Sequence, residues 1–214
     1  ATSLKLSRDI WHFWPLGMTE LEDAGIKHVS EDGLWFIYKI ETQQGLSNKL
    51  HWPGGASGVT LGPGYDMGKR NSQEIIDTMM SIGVAQSIAE HISKAANLTE
   101  NSAMEFVNNN KNLITLTEDE EFNLLKKIIS NYESAINKKL TTNLKQHQFD
   151  ALASFAYNPG KRLSEVIENI NQGKHDEAMK LIKKVVTSGG VIMRGLVCRR
   201  EKEVKLYTEG NYEN

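Results

Sequence analysis

A glutamic acid in an unusual position opens the chemistry of this chain. Leu34, Ile37 and Tyr38 fall at helical spacing, and Glu41 is the next position on the same stripe. Carboxylates rarely sit on an apolar face. Burial there raises the pKa, and a place in the last helical turn does the same, because the helix C-terminus disfavours negative charge. An acid kept protonated near neutral pH is the group needed to give a proton to a leaving oxygen, as in cleavage of a glycosidic bond. The competing role is an outward-facing carboxylate paired with Lys39 or Lys49.

A second group of polar residues follows in the run Gly58-Val59-Thr60-Leu61-Gly62-Pro63-Gly64-Tyr65-Asp66. Glycines let backbone approach a ligand closely, and a hydroxyl with a second carboxylate opposite an acid can orient and activate a water. For Asp66 the alternative is a helix cap or an Asx-turn. His51, Trp52 and Tyr65 lie in the same stretch and are candidate sugar contacts, with core or turn roles equally open to each. Gln148 and Asn158 flank the run Gln148–Asn158 and are further candidates, Asn158 also being a natural helix cap before Pro159. Arg199 and Arg200 either touch substrate carboxylates or pair with Glu203, which is i+4 from Arg199.

The elements that must position these groups are mostly helical. Ser30 reads as an N-cap opening a helix to about Gln44, with Gly45 as its stop. Residues 46–70 are rich in Gly and Pro and carry the short β-like run Val59-Thr60-Leu61, which suggests a small hairpin. Helices are expected from 71 or 72 to 80, 84 to 95, 102 to 108, and 117 to about 139, the last opened by the capping box Thr117-x-x-Glu120. Further helices are expected over 144–157, 164–171, 175–187 and 196–208. The fold class is α+β, predominantly helical. Residues 1–29 form an N-terminal extension of unassigned role, containing Trp11, Phe13 and Trp14. Residues 30–214 form the catalytic domain, with a β lobe near 46–70 and a helical lobe near 71–210.

Bulk properties exclude several classes. The 214 residues are 39% hydrophobic and 24% charged, with net charge −2, so no overall field favours nucleic acid. Eight Lys and Arg between Lys180 and Lys205 form a locally basic stretch that is either a solvated helix face or a patch facing an anionic polymer. Cys198 is the only cysteine, which removes a disulfide framework and suggests a buried, inert thiol. No run approaches a membrane span, and residues 1–6 lack the apolar core of a signal peptide.

Three pieces in order resemble the phage-type lysozymes (muramidases): Glu41-x-x-x-Gly45 followed by Gly58-Val59-Thr60-Leu61-Gly62-x-Gly64-Tyr65; the run Gln148–Gly160; and Gly189-Gly190 leading to Gly195-Leu196-x-x-Arg199-Arg200-x-x-Glu203. The resemblance covers about residues 31–210. It implies a lysozyme-like fold, with a β-hairpin lobe and a helical lobe around a saccharide cleft. It also implies hydrolysis of the β-1,4 bond between N-acetylmuramic acid and N-acetylglucosamine without metal or cofactor. Glu41 matches the family's general acid and Thr60 its cleft threonine. Many phage lysozymes place an aspartate between these two, whereas residues 42–59 here hold no Asp or Glu. The order Glu…Thr…Asp is similar to the pesticin-like and antibacterial effector subgroup, which carries the second acid onto Asp66. The implied partners are peptidoglycan glycan strands and, for an effector, an immunity protein. Action in the periplasm of a target cell is expected, with delivery by a secretion machine or by phage lysis.

Overall fold

The computed structural model describes residues 25–188 and 190–213, so Trp11, Phe13 and Trp14 lie outside the described residues. The first helix, α1 (Glu31–Glu41), starts where the sequence indicates. Ser30 is extended and its Oγ accepts from Gly33 N, while Glu31 and Asp32 place negative charge in the first turn. The helix ends at Glu41, three residues earlier than expected, because Thr42 turns to extended backbone and its N–H and hydroxyl both donate to the Tyr38 carbonyl. Glu41 is therefore the terminal helical residue.

Next comes an antiparallel ribbon, β1 (Thr60–Leu61) with β2 (Tyr65–Asp66), in which Thr60 faces Asp66 and Leu61 faces Tyr65. His51 extends it on the other side, exchanging both backbone hydrogen bonds with Thr60. Helices α2 (Ser72–Ser81) and α3 (Gln86–Ile92) follow, the latter running into a 3-10 turn at Ser93–Ala95, and then α4 (Glu100–Asn109). These helices share one core with the ribbon, in which Leu50, Val59, Leu61, Tyr65 and Met67 meet Ile75, Met79, Ile92 and Ala103. The ribbon's lobe thus includes α2 to α4, which the sequence reading had grouped with the later helices.

The long α5 (Glu118–Asn137) opens with the expected Thr117–Glu120 capping box. Leu124 and Ile128 enter the ribbon's core, whereas Phe122, Leu125, Ile129 and Ile136 enter a second core. That second core is built around α6 (Gln146–Tyr157), from which Phe149, Leu152, Ala153 and Phe155 are fully enclosed. It is completed by α1, α7 (Leu163–Asn171), α8 (His175–Lys183) and α9 (Arg194–Glu209). The α8 helix stops four residues short of the expected 187, because the chain forms a second hairpin, β3 (Thr187–Ser188) with β4 (Val191–Ile192).

One buried staple fixes α1 on α6. Asp150, fully enclosed, accepts from Ser30 N (3.0 Å), Ser30 Oγ (2.5 Å), Gln146 Nε2 (2.9 Å) and Tyr212 Oη (2.7 Å). The approach requires glycine at position 33, where a Cβ would lie 2.5 Å from the Asp150 carboxyl carbon. Residues 25–29 run along α5, with Lys27 N donating to Asn137 Oδ1 and Val29 N to Glu133 Oε1. Among the described residues no helix is long and apolar enough to cross a membrane.

Candidate active site

Glu41 stands at the C-terminal end of α1, with its side chain 20% accessible. Its Oε1 is closed to solvent and faces Arg199 Nη1 at 2.5 Å. Burial pushes the carboxyl above the ordinary carboxylate range, while the Arg199 guanidinium pulls it back. The cation is Arg199 from α9, not the Lys39 or Lys49 considered from sequence.

Arg199 is held from behind. Its Nε donates to Glu203 Oε1 at 2.9 Å and its Nη2 to the Ser154 carbonyl at 2.8 Å. Glu203, with no accessible surface, also accepts from Ser154 Oγ at 2.9 Å and from Arg200 Nη1 at 2.5 Å. Arg200 further donates to the carbonyls of Val185 and Asn158. Glu41, Arg199, Glu203 and Arg200 thus form a buried set of two carboxylates and two guanidiniums. The expected Arg199–Glu203 pair is present, and Glu41 extends it. Because Arg199 and Arg200 are buried, they do not belong to the exposed basic stretch. Cys198, expected to be buried, is exposed.

The ribbon carries the second group. Residues opposed across an antiparallel pair project to one face, so His51, Thr60 and Asp66 share a face while Val59, Leu61, Tyr65 and Met67 point to the core. Thr60 is buried and its hydroxyl donates to the Gly58 carbonyl at 3.3 Å; Asp66 is exposed. The Asp66 carboxylate accepts from Gly68 N at 2.7 Å, the Asx-turn considered from sequence, and from Gly58 N, 3.2 Å from each oxygen. Only glycine fits at 58, where a Cβ would lie 2.4 Å from Asp66 Oδ1 and 2.3 Å from Gly68 N. Asp66 also lines a cavity of about 380 Å³ with Lys69, Arg70 and Glu74.

The remaining candidates separate. His51 is half-buried with Nδ1 3.0 Å from the Lys49 carbonyl, and Trp52 Nε1 donates to the Ser57 carbonyl, closing its own loop. Tyr65 is 1% exposed, its ring in the ribbon's core beneath the Arg70 guanidinium at 4.2 Å. Gln148 Oε1 accepts from Lys145 N and caps α6. Asn158 is exposed at the other end of that helix, about 15 Å along the axis from Gln148. It lines a cavity of about 430 Å³ with Ile40, Met193, Gly195, Leu196 and Arg199. Asn158, not Gln148, therefore shares a cavity with the Glu41 partner. Sequence reasoning missed the Glu41–Arg199 pair, although an acid on a buried stripe calls for a cation. It also missed Tyr132, stacked on Tyr157 at 4.1 Å. Among the described residues no cluster of three or more His, Cys, Asp or Glu side chains is arranged to hold a metal.

Comparison with known proteins agrees with this architecture. The endolysin of Bacillus phage PZA is 35% identical over 107 residues, 49% of this chain and 41% of the endolysin. That of Bacillus phage B103 is 34% identical over 102 residues, 46% of this chain and 39% of the endolysin. The chain spans about two fifths of the length of these curated relatives. Among solved structures, an endolysin from Escherichia coli O157:H7 phage FAHEc1 superposes with a TM-score of 0.56 at 23% identity, covering 89% of this chain and 99% of that one. The muramidase domain of SpmX from Asticaccaulis excentricus gives 0.56 at 20% identity, covering 85% and 97%. The resemblance to the phage-type lysozymes is borne out, and the fold is theirs. Residues 36–170 match the family described as a domain of unknown function (DUF8812), and the chain belongs to that family.

Proposed function

We propose that this protein is a peptidoglycan hydrolase of the lysozyme type, cutting the β-1,4 bond between N-acetylmuramic acid and N-acetylglucosamine. The observation that carries the reading is Glu41: a largely enclosed acid at a helix end, its side chain 20% accessible and its buried oxygen against Arg199. Burial favours the protonated form of Glu41, and in this reading the carboxyl delivers its proton to the leaving glycosidic oxygen. Asp66 faces the charge that develops on the sugar ring and with Thr60 holds the attacking water. Asn158, His51 and Trp52 are assigned to glycan contacts. Support comes from the similarity to phage endolysins and to a muramidase domain.

The test is turbidity loss of purified sacculi with wild type and Glu41→Gln. The variant is expected to fold normally and to release no muropeptides; wild-type activity in it removes the assignment. Product mass then separates hydrolysis from a second reading, lytic transglycosylation, which needs only one acid and gives a 1,6-anhydro product. That reading is favoured by the Asp66 carboxylate, whose contacts with Gly58 and Gly68 amides engage both its oxygens. We further assign the chain to antibacterial use in the periplasm of a target cell, as an effector or toxin domain matched by an immunity protein, or as a phage lysis enzyme. A small exported protein that binds the chain and blocks sacculus lysis supports the first; dependence on a holin supports the second.

A further inference from the structure

The first turn of α5 and the segment that follows Glu41 line a cavity of about 460 Å³ that plays no part in the proposed chemistry. Gln44 and Asn48 come from the segment, and Thr117, Glu118 and Glu121 from the helix start. The two stretches are tied by the Leu116 N–H, which donates to the Asn48 carbonyl at 2.8 Å. Among the described residues no Lys or Arg lines the cavity, so its two carboxylates have no cation from the protein there.

Glu121 is the odd member. It is 5% exposed, yet its only direct hydrogen bond comes from Tyr38 Oη, 3.2 Å from Oε2. Its Oε1 is closed to solvent and has no hydrogen-bond partner. The Ser47 hydroxyl cannot serve it, because its one proton is committed to the Gln43 carbonyl at 3.0 Å. Burial holds the Glu121 carboxyl above its ordinary range, against the pull of the Ser47 and Tyr38 hydroxyls. A buried acid left short of donors and cations is costly unless something else supplies the charge.

We propose that this cavity is a Ca²⁺ site, held by the carboxylates of Glu118 and Glu121 with the amide oxygens of Gln44 and Asn48. Glu118 and Glu121 are three apart on one helix, which puts their side chains on the same face. The lining offers oxygen and no imidazole or thiolate, which selects a hard cation over zinc or copper. Ca²⁺ accepts six to eight oxygens in irregular sets, whereas Mg²⁺ demands a near-ideal octahedron and gives up its waters reluctantly. The volume leaves room for the ion with several waters, each taking about 30 Å³. Three acids or histidines do not converge here, and two carboxylates place the affinity in the weak class, with Kd of about 10⁻⁴–10⁻³ M. The ion's role is to brace the segment after Glu41 against α5, which enters both cores. The proposal is independent of the glycosidase reading and fails or stands without it.

The experiment is calorimetric titration of chelator-treated, full-length protein with CaCl2 and with MgCl2, alongside melting curves in CaCl2 and in NaCl of equal ionic strength. One Ca²⁺ is expected to bind saturably, and Mg²⁺ at least tenfold more weakly. At a tenfold excess over Kd the Tm should rise by roughly 3–6 °C above the NaCl control. Glu121→Gln is expected to abolish binding. Glu118→Gln, at an exposed position where the fold is safe, should weaken it at least tenfold. Asp119→Asn removes the same charge from the same turn without lining the cavity, and should leave binding in place. No saturable Ca²⁺ binding, Mg²⁺ binding as tight as Ca²⁺, or equal losses in Asp119→Asn and Glu118→Gln overturns the proposal.

Discussion

Glu203→Gln is the sharpest test of how the site is held. The substitution keeps size and shape and removes one negative charge from a set that is balanced: Glu41 and Glu203 against Arg199 and Arg200. Glu203 has no accessible surface, and Arg199 and Arg200 are 9% and 1% exposed. The variant therefore leaves two buried guanidiniums facing a single carboxylate, that of Glu41. Three contacts change at once: Arg199 Nε at 2.9 Å, Arg200 Nη1 at 2.5 Å and Ser154 Oγ at 2.9 Å. Breaking a buried ion pair by removing one partner costs about 3–5 kcal/mol. For a chain of this size each kcal/mol moves Tm by about 2–4 °C, so the melting temperature should fall by roughly 6–20 °C.

A second consequence has a definite sign. Glu203 is one of the groups that raise the Glu41 carboxyl, and Arg199 is the main group that lowers it. Neutralising Glu203 removes the first and releases Arg199 to serve Glu41 alone. The Glu41 midpoint must then drop, and the basic limb of the activity profile must move to lower pH. Calorimetry at pH 7 and the pH dependence of sacculus lysis give the two readouts. A Tm loss under about 2 °C, or a limb that moves upward, refutes the balanced-charge account.

Other perturbations probe separate parts. Asp150→Ala removes the acceptor for Ser30, Gln146 and Tyr212; urea unfolding should show a loss of about 3 kcal/mol or more, with turnover at low temperature retained. Gly58→Ala puts a methyl against the Asp66 carboxylate and the Gly68 amide, so sacculus lysis should fall at least tenfold while the helical far-UV signal is kept. The raised Glu41 carboxyl also sets a slope in stability. The folded state holds the proton above the unfolded midpoint (about 4.3), so Glu41's contribution is full below that pH and is lost as pH rises through the folded midpoint. Denaturant midpoints measured from pH 4 to 8 should therefore decline less steeply in Glu41→Gln than in wild type.

Much of the local structure was legible because its causes are local. Ser30 and the Thr117–Glu120 box mark their helix starts through contacts three residues apart, and the Asp66 turn reaches only to Gly68. The stripe Leu34, Ile37, Tyr38, Glu41 carries the acid's position, since periodicity alone assigns a face. What failed to show was set by distant chain. Glu41 meets Arg199 across 158 positions of sequence, and nothing near Glu41 names that partner. Helices α2 to α4 were grouped by type with later helices, whereas the ribbon's apolar face, with Val59, Leu61 and Tyr65, claims them. The β3–β4 hairpin went unseen because each strand has two residues, too few for an alternation to register. Tyr65 looked like a sugar platform by type, but the strand's two-residue period turns it inward and turns Asp66 out.

On the proposed reading of Glu41 as the proton donor, the site resolves a conflict between what holds an acid and what makes it useful. A carboxyl buried in apolar surroundings keeps its proton but is hard to ionise when the proton must leave. A carboxyl with a private arginine ionises readily but has no proton to give at neutral pH. Here Arg199 is shared: one face serves Glu41 and the other is neutralised by Glu203, which Arg200 and Ser154 hold in place. Divided in this way, the cation leaves burial as the larger influence on Glu41 in the resting state, yet remains 2.5 Å away to receive the carboxylate once the proton has gone. The price is a fully enclosed Glu203 on which both arginines depend, which is why the stability of the helical core and the pH response of the acid should change together when that one residue is neutralised.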